Sequence, residues 1–160
     1  MVDRPAQRMT VEYDHDFVVF LLGMRINQPW KVHRWLPALR AMRPMLQELR
    51  DRPDSGFLGY EATGLLSIQY WRSVEDLVAY AHARDGRHWP AWIDFNKRVG
   101  YTGGAVGIWH ETFQVAAGRY ETVYANMPPY GLGKVGRMVP AVGPMSGART
   151  RLDRLGPAAR

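Results

Sequence analysis

Cysteine is absent from the 160 residues. Its absence excludes disulfide scaffolds, thiolate zinc sites, iron–sulfur clusters and cysteine nucleophiles together. Serine is scarce, at four residues, and none stands in a G-x-S-x-G elbow; H-E-x-x-H is also missing. No apolar run approaches the ~20 residues of a membrane span. The longest, 17–24, reads FVVFLLGM. No apolar stretch of signal-peptide type precedes Asp14. The expectation is a soluble, cytoplasmic protein with no membrane partner.

What is present fits one globular domain. The chain is 46% hydrophobic and 22% charged, which places it among folded rather than disordered sequences. A single core at this length buries about 70% of the unfolded surface. The formal charge of +6 invites a nucleic-acid reading. The distribution opposes it. Residues 1–133 hold 15 Lys/Arg against 14 Asp/Glu, whereas 134–160 hold 6 against 1, so most of the excess lies in the tail. A second excess, seven basic residues against Glu48 and Asp51, runs from Arg25 to Arg52 and reads as a solvated helix face. No nucleic-acid partner is expected.

Hydrophobic period supplies the elements. Residues 1–16 are polar and read as a loose N-terminus. The run 17–26 (FVVFLLGMRI) reads as a strand buried on both faces. From 30 to 50, Val32, Trp35, Leu36, Leu39, Met42, Met45, Leu46 and Leu49 recur at helical steps. Pro37 and Pro44 should kink or divide that helix. Two short strands, 57–62 and 65–71, flank a Thr63-Gly64 hairpin signal. Ser73 is an N-cap for a helix to about Ala83, and 91–99 a further helical piece after Pro90. Strands 106–115 (VGIWHETFQV) and 120–126 (YETVYAN) follow. Residues 131–160, rich in Gly and Pro, read as a basic arm or tail.

The order β-α-β-β-α-β is the ferredoxin-like, α+β plan for 17–130. Helices cover one face of such a sheet. Phe17, Val19 and Leu21 alternate with Val18, Phe20 and Leu22, so the other face is apolar too. A second copy of the chain is the simplest cover, which gives a homodimer of the dimeric α+β barrel kind.

Few motifs carry chemistry. Residues 131–136 spell G-x-G-x-x-G, but they follow a Pro-Pro segment and Pro140 forbids a long helix after them, so nucleotide binding is not expected. Asp14-His15-Asp16 reads as a charge cluster. His33 and His82 read as surface residues. His110 and Glu111 stand side by side in an apolar strand and must face opposite sides. Each is costly to bury unless paired. The bland reading of His110 is a bonded core histidine. The sharp one is a ligand or proton-transfer group lining a cavity. Glu111 is either paired with Arg25 or Arg72, or an acid–base group. Trp109, Phe113, Tyr120 and Tyr124 would supply an apolar substrate wall.

Several runs, taken in order, resemble a known family. They are 17–27 (FVVFLLGMRIN), 29–35 (PWKVHRW), 70–73 (YWRS), 88–92 (HWPAW) with Phe95 and Asn96, 106–112 (VGIWHET), and 120–128 (YETVYANMP) with Gly131 and Leu132. They resemble the monooxygenase-like family that was formerly a domain of unknown function and has a member in the fumagillin pathway. The resemblance covers about 16–133 and implies a dimeric α+β barrel and an oxidoreductase acting on a small apolar metabolite. The segment 61–67 looks short for the family.

A more distant resemblance is to heme-containing aldoxime dehydratases. It implies heme as cofactor, with His88 as candidate axial ligand and His110 as the distal acid–base group. The alternatives are an aldoxime dehydratase-like lyase and a non-catalytic protein that binds heme or a small ligand.

Overall fold

A computed structural model of the chain describes residues 7–83, 93 and 104–153, with the backbone alone at 38, 41–45 and 53. The expected helical piece over 91–99 and His88 fall outside the described residues, apart from Ile93.

The apolar run forms a ten-residue strand. With β1 at Met9–Glu12, this strand is β2, Phe17–Ile26. Helix α1 spans Val32–Arg50, strand β3 Phe57–Thr63, strand β4 Leu66–Trp71 and helix α2 Val74–His82. Strand β5 is Val106–Val115, β6 is Arg137–Pro140, and a short helix α3 covers Ala148–Asp153. The main sheet has the antiparallel order β3-β4-β2-β5, and β1 pairs with β6 apart from it. The central strand is the one that is apolar on both sides, as burial on both faces requires. The fold is α+β, with the ferredoxin-like sheet that the element order implied.

Local chemistry explains the boundaries. Ser73 accepts from the Asp76 backbone N–H at 3.1 Å and starts α2, with Glu75 and Asp76 in its first turn. Gly64 turns the β3–β4 hairpin at φ +58°. Helix α1 is not divided at Pro37 or Pro44. An interior proline costs about 3 kcal/mol. Burial of Leu46 and Leu49 beneath the C-terminal end of the helix offsets part of it.

The sheet carries a core on each face. Val18 and Trp71 pack with Leu46, Leu49 and Leu77 on the helix side. Trp71 is fully buried, its indole N–H bonded to Gln69 at 3.1 Å and its ring edge-on to Phe57. On the other side Phe17, Val19, Leu58 and Tyr70 meet Val11, Leu132, Val135 and Met138. That second core corrects three expectations. The 1–16 segment is not loose throughout, because it contains β1. Residues 131–153 form turns, β6 and α3. The open sheet face is therefore partly covered by the chain's own ends.

Residues 120–126 do not form a strand; Tyr124 makes an isolated bridge to Met9. Side chains take the place of the ladder. The Val11 N–H is accepted by the Thr122 hydroxyl at 2.9 Å and the Tyr13 N–H by the Tyr120 hydroxyl at 2.6 Å. Hydroxyls that satisfy the neighbouring backbone in this way compete with sheet pairing. Among the described residues no helix is long and apolar enough to cross a membrane.

A glycine contrast tests the clasp between β1 and the arm. A Cβ at Gly136 would lie 2.5 Å from Val11 Cγ1 and 2.8 Å from the Glu12 carbonyl oxygen. Gly136→Ala should cost about 1–3 kcal/mol in urea unfolding. A Cβ at Gly107 meets nothing nearer than 3.6 Å, so Gly107→Ala should stay within about 0.5 kcal/mol of wild type.

Candidate functional site

Strand β5 holds the chemistry read from the sequence, and it is an edge strand. Its register opposite β2 pairs Leu22 with His110, Leu21 with Glu111 and Gly23 with Trp109. Val18 and Phe20 face the helices, so alternation puts His110, Ile108 and Thr112 on that side. Glu111, Trp109 and Phe113 lie on the opposite side with Val19 and Leu21.

Seven consecutive residues, Ile108 to Gln114, are exposed. Trp109 is 43% and Phe113 49% accessible. The expectation that His110 and Glu111 are buried between a core and a barrel interior does not hold within one chain. The physical reason is position: among the described residues β5 has a neighbour along one edge only, and burial reaches its ends at Val106 and Val115 but not 108–114.

The His110 ring lies 5.5 Å from the Phe20 ring, on the helix-facing side. It has no hydrogen-bond partner among the described residues, and neither has Glu111. The bonded core histidine is therefore not what the structure contains. Arg72 is taken by Asp76, at 2.9 and 3.1 Å, and does not pair with Glu111. Arg25 is four residues along β2 from Leu21, which places it about 13 Å from the level of Glu111. Trp109 lies across Gly23, where an added Cβ would sit 2.4 Å from the indole. The glycine makes room for that ring.

The four aromatic residues proposed as one wall are divided. Trp109 and Phe113 share the open half of the sheet face. Tyr120 and Tyr124 belong to the second core, with their hydroxyls engaged by backbone. The Tyr124 hydroxyl donates to the Tyr130 carbonyl at 2.8 Å and accepts from the Gly133 N–H at 3.0 Å. Burial raises the Tyr124 pKa, with the Gly133 N–H acting against it.

Other residues come together that sequence reasoning missed. Glu61, 7% exposed, accepts the Gly131 N–H at 2.8 Å and pairs with Lys134 at 2.7 Å. Tyr70 lies beside it, its pKa raised mainly by burial. Buried Arg151 pairs with Glu121 and donates to the Met145 carbonyl, beside a hollow of about 450 Å³ between β1 and residues 117–122. The register that aligns Glu61 with the glycine-rich segment is a long-range fact with no local signature. Among the described residues no cluster of three or more His, Asp or Glu could hold a metal ion.

Comparison with known proteins places the chain. The model of the monooxygenase af470-like family matches residues 17–132, and the chain belongs to that family. Monooxygenase af470 of Aspergillus fumigatus is 31% identical over 138 residues, which span 73% of this chain and 45% of that protein. An aldoxime dehydratase solved in complex with butyraldoxime shares the fold, with TM-score 0.61 and 18% identity over 94% of this chain and 44% of its own. A second aldoxime dehydratase gives TM-score 0.59 and 19% identity over 94% of this chain and 45% of its own. The chain thus spans less than half the length of these relatives.

The geometry separates structural from functional groups. Tyr120→Phe leaves the part-buried Tyr13 N–H without its acceptor and should cost about 1 kcal/mol. His110→Ala, at an exposed position with no hydrogen-bond partner among the described residues, should stay within about 0.5 kcal/mol of wild type. Urea titration of both variants checks the contrast.

Proposed function

Taking that family as the premise, we propose that the chain is a monooxygenase-like oxidoreductase for a small apolar metabolite, with heme as its reactive group. One observation carries the reading. His110 is an imidazole with no hydrogen-bond partner among the described residues, exposed on the helix-facing side of the strand. A histidine that only supported the fold would be bonded and buried.

Support for heme comes from the resemblance and from His110, an exposed imidazole beside the Phe20 ring with no hydrogen-bond partner among the described residues. His88, outside the described residues, is the ligand that the resemblance assigns. Heme, when bound, would supply the redox step, with His88 as the residue that would hold it. His110 would hold or move a proton at its imidazole nitrogen. Trp109, Glu111 and Phe113 lie on the opposite side of the sheet from His110, and a second copy laid over them would cover that face.

Glu111 favours a second reading without cofactor. Its carboxylate, with no partner among the described residues, shares a face with Trp109 and Phe113, where a base could deprotonate a substrate acidic enough to react with oxygen. The lyase alternative differs in its products. Butyraldoxime would yield butyronitrile and water with no oxygen consumed.

Hemin titration of the full chain tests the proposal. A Soret band should saturate at one heme per chain, and His88→Ala should remove or shift it. His110→Ala should keep the band and abolish turnover. Absence of a Soret band, or an identical titration by His88→Ala, would overturn the heme reading. With butyraldoxime as probe, nitrile formation without oxygen uptake would favour the lyase. A saturating band with no turnover of any probe would favour a binding protein.

A further inference from the structure

A second polar centre lies on the face of the sheet opposite His110, where the arm crosses β3 and β4. Glu61 on β3 uses one oxygen, Oε1, for both its bonds: the Gly131 N–H at 2.8 Å and the Lys134 ammonium at 2.7 Å. Its other oxygen, Oε2, has no hydrogen-bond donor among the described residues. The Leu132 N–H acts to lower the pKa of Tyr70 on β4, and the Tyr70 hydroxyl donates to no acceptor among the described residues. Both residues line a depression of about 320 Å³ that also includes Ile68, Leu132, Val123 and Tyr130.

The two groups are complementary in kind. Burial raises the Tyr70 pKa and the Glu61 charge adds in the same direction, so the phenol stays protonated and donates. The carboxylate accepts. A head that bonds both must offer an acceptor oxygen and a nearby N–H, and must not carry negative charge. A primary amide has that pattern. Ile68 and Leu132 would contact an apolar body of a few carbons.

We propose that the Tyr70–Glu61 depression is a binding site for a small neutral molecule with a primary-amide head and a short aliphatic body. The glycine-rich segment is a structural part of this site rather than a phosphate loop. Gly131 has φ +57°, and a Cβ there would press on the Tyr70 hydroxyl at 2.9 Å. Any side chain at 131 would push the donor away from the depression.

Butyramide is the probe, followed by amide-proton NMR of the full chain. The shifts at Ile68, Tyr70, Gly131 and Leu132 should saturate. N,N-Dimethylbutyramide lacks the donor and butyrate carries the wrong charge, so each should bind about tenfold more weakly, the scale of one lost hydrogen bond. Tyr70→Phe should weaken butyramide by about the same factor. Glu61→Gln, which keeps an acceptor for Gly131, should narrow the gap between butyramide and butyrate. Ile68→Trp fills the depression beside Glu61 and should abolish saturation. His110→Ala should titrate like wild type, so failure here is distinguishable from failure of the heme reading. Shifts that never saturate in wild type would overturn the proposal. So would Tyr70→Phe and Ile68→Trp titrations that match wild type.

Discussion

The constraint on which the rest depends is the two-sided apolarity of β2. A strand that is greasy on both faces cannot lie on a surface; its sheet must be covered twice. Helices α1 and α2 supply one cover, with Leu46, Leu49 and Leu77 over Val18 and Trp71. The chain's own ends supply much of the other, with Val11, Leu132, Val135 and Met138 over Phe17, Val19 and Tyr70. Neither cover extends over the middle of β5, residues 108–114. The strand that joins the sheet last is left with His110 on one side and Glu111, Trp109 and Phe113 on the other.

That incomplete cover links fold to function. A long edge strand with exposed aromatic side chains is a liability unless something occupies it. His110 and Glu111 stand exposed on the same strand, open to a ligand or a partner. Both facts converge on β5, within the stretch that matches the monooxygenase af470-like family. The arm has a different role. It clasps the open face through Glu61 and Lys134, and its glycines allow backbone to approach Tyr70 and Val11 closely.

Much of this was legible in the residues. Strand β2, the β3–β4 hairpin, the Ser73 cap and β5 were readable because each has a local cause: an apolar run, a glycine turn, a capping hydroxyl or an apolar strand pattern. The pairing of β1 with β6 was not, because Thr10 meets Val139 across nearly the whole chain and four-residue strands carry little period. The 120–126 segment has strand-like residues, yet Thr122 and Tyr120 spend their hydroxyls on β1 and the ladder fails. The facing of His110 and Glu111 followed from alternation. Their exposure did not, since it depends on how far the two covers extend across the sheet. Glu61 was invisible as a polar centre because its partners arrive from the arm some 70 residues later.

We propose that a second copy of the chain seals the open half of the sheet, around Trp109 and Phe113. Light scattering of the full chain through a dilution series should give the mass of two chains, and Phe113→Lys should lose it. A stable, cooperatively folding single chain at every concentration would refute the seal.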